Sequence, residues 1–312
     1  MTISYKLKLA PTYHRDTYPS ISPTKPSLTQ TGKTILITGG GDGIGLEIAR
    51  SFAKARASRI IIVGRRAGLL DEAVRKLRDE FQSGGTEFMA HQTDIGSDTS
   101  ISSLWEFLHS QNILVHVIVF NATHMIPNPP DTLSTAKNEL MDAFNVNVGG
   151  NFVMAANFVK QALRPAGTQL FLVNISTLAI HTTVPTMASY GVSKAAFTGL
   201  LGRIANDCPA EDVQIISFHP GALYSEGASK ILDKDTLDWD EFALPADFSV
   251  WAASPEAAWL HGRFVWAHWD VDELRSDPEV LKRLEEEKGY LMVGVQGLTA
   301  ATIEPMSDAK KN

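Results

Sequence analysis

Cysteine is almost absent from this chain: Cys208 is the single one in 312 residues. A lone thiol excludes an internal disulfide framework and fits a reducing compartment. Its simplest role is that of a small buried apolar group. Long apolar runs are missing as well. The longest, 113–120, is interrupted by His116 and falls well short of the roughly 20 residues that cross a bilayer. The N-terminal stretch MTISYKLKLAPTYHRDTYPS lacks the apolar core of a secretory signal, and its few arginines and its acid make a poor transit peptide. Basic excess is missing too. With 28 Lys and Arg against 35 Asp and Glu, the net charge of -7 leaves no electrostatic footprint for nucleic acid. No clustered His, Cys and carboxylate spacing marks a metal site, and no fixed period marks a solenoid. These absences point to a cytoplasmic globular protein with no nucleic-acid and no membrane partner.

What is present is a regular alternation. Hydrophobic residues make up 44% and charged residues 20%, an ordinary globular balance with enough chain for one large core. From Lys33 onward, short β-branched runs at 34–38, 59–63, 87–91, 115–120, 169–175, 213–218 and 262–267 alternate with segments of helical period at 44–55, 69–82, 99–110, 135–163 and 190–206. Almost continuously apolar strands belong to a parallel sheet covered on both faces. The alternation therefore predicts a doubly wound α/β fold of seven mostly parallel strands, as a single domain over 32–312. Residues 1–31, rich in Pro, Ser, Thr and Tyr, read as an extended N-terminal arm on the surface. Residues 221–250 break the pattern after a strand and read as a substrate lid carrying Trp239, Phe242 and Phe248. Residues 268–312 form a C-terminal extension.

The stretch Thr38-Gly-Gly-Gly-Asp-Gly-Ile-Gly45 joins the first strand to the first helix. Glycines there allow a tight turn and close approach of a phosphate to the helix N-terminus, where backbone N–H groups and the dipole favour an anion. The second strand ends in Val63-Gly-Arg-Arg66. An NAD-selective site would carry an acid there. Instead Gly64 leaves room, and Arg65 can meet a 2′-phosphate by bidentate bonding, which argues for NADP(H). Asp42, inside the glycine loop, argues the other way and keeps NAD(H) open.

Farther along, Ser189-Tyr-Gly-Val-Ser-Lys194 sets Tyr190 and Lys194 one helical turn apart. A phenol titrates near 10. A neighbouring ammonium stabilises the phenolate and makes the pair a proton-transfer device.

The spacing T-G-x-x-x-G-I-G, with Gly39, Gly43, Ile44 and Gly45, resembles the glycine motif of the classical short-chain dehydrogenase/reductase family, and Tyr190 with Lys194 resembles its Y-x-x-x-K. The chain is identified as a member of a fungal-type branch, to which the Tyr18-Pro segment and the tail 262–270 are similar. The resemblance implies a Rossmann-like fold and NAD(P)-dependent interconversion of a carbonyl and an alcohol. It implies that Tyr190 exchanges the proton, that Lys194 binds the ribose and lowers the tyrosine pKa, and that Thr177 stands for the family's carbonyl-binding serine. Ser176 would be its neighbour or substitute. Asn147, mid-helix where asparagine is a poor former, would support the proton relay through a water. Asp94 would contact the adenine beside Ile95, its bland alternative being a helix N-cap. Asn121 and Ala122 would line the ribose, Pro220 and Gly221 the nicotinamide, with Ser225 where a carboxamide-binding threonine is usual. The fourth strand departs from the family's N-N-A-G, reading Phe120-Asn-Ala-Thr123, which puts its usual support in doubt. His181 and His219 would stand near the site, or serve as packed or hydrogen-bonded loop histidines. A homo-oligomer, dimer or tetramer, would use 135–163 and 190–206. An NAD(P)-binding regulator and a sugar-nucleotide epimerase or dehydratase are the other readings.

Overall fold

Strand-forming side chains and complete burial coincide in the interior of the sheet. Thr-Ile-Leu-Ile-Thr at Thr34–Thr38 (β1) is buried at all five positions. In the computed structural model, which describes residues 9–127, 129, 131–229 and 232–295, β1 is joined by Arg59–Gly64 (β2), Glu87–Gln92 (β3), Val117–Phe120 (β4), Leu170–Ile175 (β5), Val213–His219 (β6) and Phe264–Trp266 (β7). The seven form one sheet in the order β3-β2-β1-β4-β5-β6-β7, and every neighbouring pair is parallel. The expected doubly wound α/β sheet is thus all-parallel rather than mostly so. Parallel neighbours need crossovers, and described helices supply them: Gly43–Lys54 (α1), Ala67–Glu80 (α2), Asp98–Ser110 (α3), Lys137–Phe144 (α4), Asn151–Val159 (α5), Ala188–Asp207 (α6), Glu226–Ser229 (α7) and Ala243–Ala252 (α8); Val271–Ser276 (α9) and Pro278–Glu286 (α10) follow β7.

The period of two along a strand sends alternate residues to opposite faces. Ile35, Ile37, Ile60 and Ile62 join the core under α1, α2 and α8. Leu36, Ile61 and Val63 join the core under α3, α5 and α6. Full burial of each such side chain contributes about 1.5–3 kcal/mol. Strand order reverses between β1 and β4, which both leave the centre of the sheet. Helices on opposite faces diverge there and open a crevice at the strands' carboxyl ends.

Three sequence boundaries shift. The strand expected at 115–120 begins at Val117, because the side-chain amide of Gln161 takes both the Val115 N–H (2.8 Å) and its carbonyl (2.9 Å). The single helix expected at 135–163 is α4, a π-helical turn at Asn145–Gly150 and α5. Asparagine and paired glycines are weak helix formers. The lid expected at 221–250 ends earlier. Residues from Ala243 onward form α8, buried along its length and packed on α1. Phe248 is a core residue, 4.7 Å from the Phe218 ring and 5.0 Å from that of Trp251.

The segment 9–31 is not uniformly extended. It makes two 3-10 turns, Pro19–Ile21 and Pro26–Leu28, and buries Ala10, Tyr18, Ile21 and Leu28. It crosses the sheet's far edge as a strap. Tyr13 pairs with Trp269 in an antiparallel bridge, His14 N donates to the His268 carbonyl (2.8 Å), and the Tyr18 hydroxyl donates to the Trp269 carbonyl (3.0 Å). Thr17 donates to one oxygen of buried Asp247 (2.6 Å) and Ser51 of α1 to the other (2.6 Å). The Tyr18-Pro segment and the tail 262–270, which together carried the narrower resemblance, are therefore in contact.

Phe248→Ala is expected to lower the unfolding free energy by about 3–5 kcal/mol through loss of burial and a residual cavity. Half-buried Trp239→Ala is expected to lower it by under about 1.5 kcal/mol. Urea denaturation followed by circular dichroism measures both, and equal losses would restore Phe248 to the lid.

Candidate active site

The glycine loop is shaped by what its residues lack. Gly39 and Gly43 hold positive φ, 68° and 52°, a region that L side chains rarely adopt. Gly45 has a different constraint: a Cβ would lie 2.2 Å from the Gly39 carbonyl oxygen and 2.6 Å from the Asn121 amide nitrogen. Asn121 Nδ2 uses that space to donate to the carbonyls of Thr38 (3.0 Å) and Gly39 (3.1 Å). The Thr38 hydroxyl accepts from the backbone N–H groups of Asn121 and Ala122, both at 3.0 Å. The end of β4 is thereby fastened to the loop. Asp42 is the N-cap of α1, its carboxylate accepting from Gly43 N at 2.7 Å.

A cleft of about 950 Å³ runs from this loop across the strand ends to β7. Gly39, Gly43, Ile44, Arg65, Asp94, Ile95, Asn121, Ala122, Pro220, Gly221 and Ser225 all line it. Gly45 lies beneath, buried. Arg65 is exposed at the rim. Asp94 is not the cap of α3: that role falls to Ser97, which accepts from Ser100 N, while Asp94 accepts from Gly96 N at 2.9 Å. Ser225 and Phe242 both lie 4.0 Å from the position of a Gly43 side chain.

The departures of the fourth strand have physical solutions. Phe120 is buried, edge-on to Phe197 of α6 with ring centres 5.4 Å apart. The Thr123 hydroxyl donates to Asn147 Oδ1 (3.0 Å), which also accepts from His124 N (2.7 Å). Asn147 Nδ2 donates to the His124 carbonyl and to Ser193 Oγ, both at 2.9 Å. Fully buried in the π turn, Asn147 thus ties the end of β4 to α6. Such turns recur at functional sites.

Tyr190 and Lys194 stand on one face of α6, Tyr190 on the cleft wall and Lys194 buried behind it. The Tyr190 hydroxyl is hydrogen-bonded to Thr177, and Lys194 Nζ donates to the Ile175 carbonyl at the end of β5. Ser176 also lines the cleft and shares a 2.8 Å hydrogen bond with Thr198. Burial pushes the Tyr190 phenol up to about 12, against the opposing pull of Thr177. Burial brings the Lys194 ammonium down to about 8. Desolvation, rather than the lysine charge, dominates the tyrosine in this state.

The far end of the cleft is formed by residues that no short motif announces. Arg15 of the strap donates to Asp240 Oδ1 (2.8 Å), and the Ala222 N–H (2.7 Å) and His268 Nε2 (3.0 Å) meet Asp240 Oδ2. Burial pushes the Asp240 carboxyl up, but His268 and Arg15 outweigh it and hold it below its ordinary value. Tyr13 stacks on His268 at 4.5 Å. His219, at the end of β6, lines the cleft, whereas His181 accepts from Trp266 Nε1 at 3.1 Å as a hydrogen-bonded loop histidine.

Residues 33–236 match the family model described as short chain dehydrogenase. The chain belongs to the short-chain dehydrogenase/reductase family. Its chemistry is accordingly oxidoreduction of an alcohol–carbonyl pair with a nicotinamide nucleotide. It is 34% identical to the short chain dehydrogenase/reductase AacuD of Aspergillus aculeatus over 93% of this chain and 97% of that one. It is 33% identical to nsrO of Aspergillus novofumigatus over 91% and 95%. Among solved structures, a 7α-hydroxysteroid dehydrogenase complexed with NADH and 7-oxo glycochenodeoxycholic acid superposes with a TM-score of 0.69, at 24% identity over 81% of this chain and 97% of that one. Among the described residues no helix is long and apolar enough to cross a membrane, and no His, Cys, Asp and Glu cluster could hold a metal. Tyr13, Arg15, Asp240 and His268 escaped the sequence reading. The signal that pointed nearest to them was the paired occurrence of the Tyr18-Pro segment and the tail 262–270.

The buried lysine carries a pH signature. Below about 8 both folded and unfolded chains protonate Lys194; between about 8 and 10.5 the unfolded chain holds more protons. Stability from this group therefore rises with pH across that window. Lys194→Met is expected to flatten the rise, read from urea midpoints between pH 7.5 and about 10.5. An unchanged slope would show that Lys194 titrates as an exposed lysine.

Proposed function

We propose that the protein is an NADP(H)-dependent oxidoreductase that interconverts a ketone or aldehyde and the corresponding alcohol. The observation that carries the reading is the contact of Tyr190 with Thr177, in front of Lys194, in the same cleft as the glycine loop and Arg65. The nucleotide fits the residues present. Gly39 and Gly43 adopt conformations suited to a phosphate loop, α1 begins at its edge, and Arg65 stands exposed beyond Gly64 to take a 2′-phosphate. Asp94 and Ile95 would hold the adenine end, Asn121 and Ala122 the ribose, and Pro220, Gly221 and Ser225 the nicotinamide end. When bound, the nicotinamide supplies or accepts the hydride.

The chain's own part is positional and acid–base. Thr177 would orient the substrate oxygen, and Tyr190, protonated at neutral pH, would donate to that oxygen in the reducing direction. Lys194 would hold the ribose and bring positive charge to the developing phenolate. Asn147, whose backbone carbonyl accepts from Asn151 Nδ2 at 3.1 Å, would act as a positioning residue that supports a relay water. Assembly as a dimer or tetramer belongs to the same reading. Met141, Phe152 and Val192 stand 53%, 44% and 52% exposed on α4, α5 and α6. So does a cytoplasmic setting, resting on the single thiol.

Tyr190→Phe is expected to lower turnover by about 10²–10⁴-fold in a screen of ketones and alcohols with both nucleotides, leaving nucleotide affinity unchanged. Nucleotide binding with turnover indifferent to Tyr190 would overturn the assignment and favour a regulator. Arg65→Asp is expected to abolish the preference for NADPH over NADH, measured as the ratio of dissociation constants; an unchanged ratio excludes the 2′-phosphate contact. Asp42→Ser, which keeps a capping oxygen and removes the charge, is expected to tighten NADPH binding a few-fold at low salt, the gain fading as salt rises.

A further inference from the structure

His219 is 5% exposed and lines the cleft; its Nδ1 is fully enclosed and without a hydrogen-bond partner. A ligand in the cleft does not reach that nitrogen, so Nε2, which makes no hydrogen bond among the described residues, is the one it can meet, and a buried polar atom ordinarily has a partner. The neighbours do not supply it. The Trp266 ring meets the imidazole edge-on at 4.7 Å, and His268, 5.5 Å away, directs Nε2 to Asp240. Asp240 already receives Arg15, Ala222 and His268.

We infer that His219 is a substrate-recognition residue, pairing with a neutral hydroxyl carried on an aromatic ring of the carbonyl substrate. The inference rests on the oxidoreductase reading above and adds the substrate class to it. A hydroxyl is the group that serves either tautomer of a neutral imidazole, donating to its bare nitrogen or accepting from its N–H. Burial, reinforced by the His268 and His181 rings, holds His219 well below the usual histidine range, so the ring is neutral. A carboxylate on the substrate would meet the Asp240 carboxylate on the same wall. The ring follows from the walls. Tyr13 and Trp239 line this end of the cleft beside the buried Trp266, and aromatic side chains accept a planar aromatic group by offset or edge contacts. The strap thus contributes to the site: Tyr13 stacks on His268, and Arg15 secures Asp240 beneath it.

The test compares acetophenone with its 2-, 3- and 4-hydroxy isomers, both as ligands of the protein with NADP bound, read by quenching of tryptophan fluorescence, and as substrates with NADPH. At least one hydroxy isomer is expected to bind about five- to tenfold more tightly than acetophenone. His219→Phe, which keeps a ring against Trp266, is expected to remove that preference while leaving acetophenone and NADP dissociation constants within twofold. His219→Gln, an amide with donor and acceptor, is expected to restore part of it. Absence of a hydroxyl preference in the wild type overturns the inference, as does an equal loss for acetophenone and its hydroxy isomers in His219→Phe. Turnover dependent on Tyr190 without any hydroxyl preference would sink this inference and leave the oxidoreductase reading intact. A His219-dependent hydroxyl preference in binding, with turnover indifferent to Tyr190, would do the reverse.

Discussion

The site depends on one close approach. The first residue after β1 and the start of α1 come so near that nothing larger than glycine fits at position 45, and the amide of Asn121 occupies the space that remains. The contact joins three pieces of chain: the turn, the helix that points into the cleft, and the end of the central strand. The direction in which α1 presents its N-terminus follows from it. So does the lateral position of β4, whose following residues carry Thr123 and His124 to Asn147.

From Asn147 the same order passes to α6 through Ser193, within one turn of both Tyr190 and Lys194. The glycine loop and the Tyr190–Lys194 pair are thus linked by a chain of short hydrogen bonds rather than by general packing. Burial then decides the electrostatics. Phenol and ammonium are both desolvated, so each is pushed toward its neutral form. Charge brought by a ligand would act on groups already held near neutrality, where it has the most effect.

The parts of this arrangement that were legible in the sequence are those whose physics is local. Glycines at fixed offsets after an apolar run and a tyrosine one turn before a lysine are determined by the geometry of single elements, as were the strand cores. Thr123 and Phe120 were not interpretable in the same way, because their partners, Asn147 and Phe197, come from other elements. The helix over 135–163 hid its π turn for a related reason. A Cβ at Gly150 would stand 1.7 Å from the Ile95 carbonyl oxygen, a tertiary contact with no periodic signature. Phe248 reads as a surface aromatic in an irregular stretch until α8 is seen against α1. Arg15 and Asp240 lie 225 positions apart, and no window along the chain contains both.

That separation bears on how the protein comes into being. Tyr18 precedes the glycine loop in the chain, yet the carbonyl it binds belongs to Trp269, 251 positions later. During synthesis from the N-terminus, the glycine loop and its sheet neighbours can form while the strap has nothing to lie on. The far end of the cleft is therefore closed after the glycine loop has formed, by the return of the strap to the residues that follow β7. A nascent chain that has made its glycine loop is still without the far wall of its cleft.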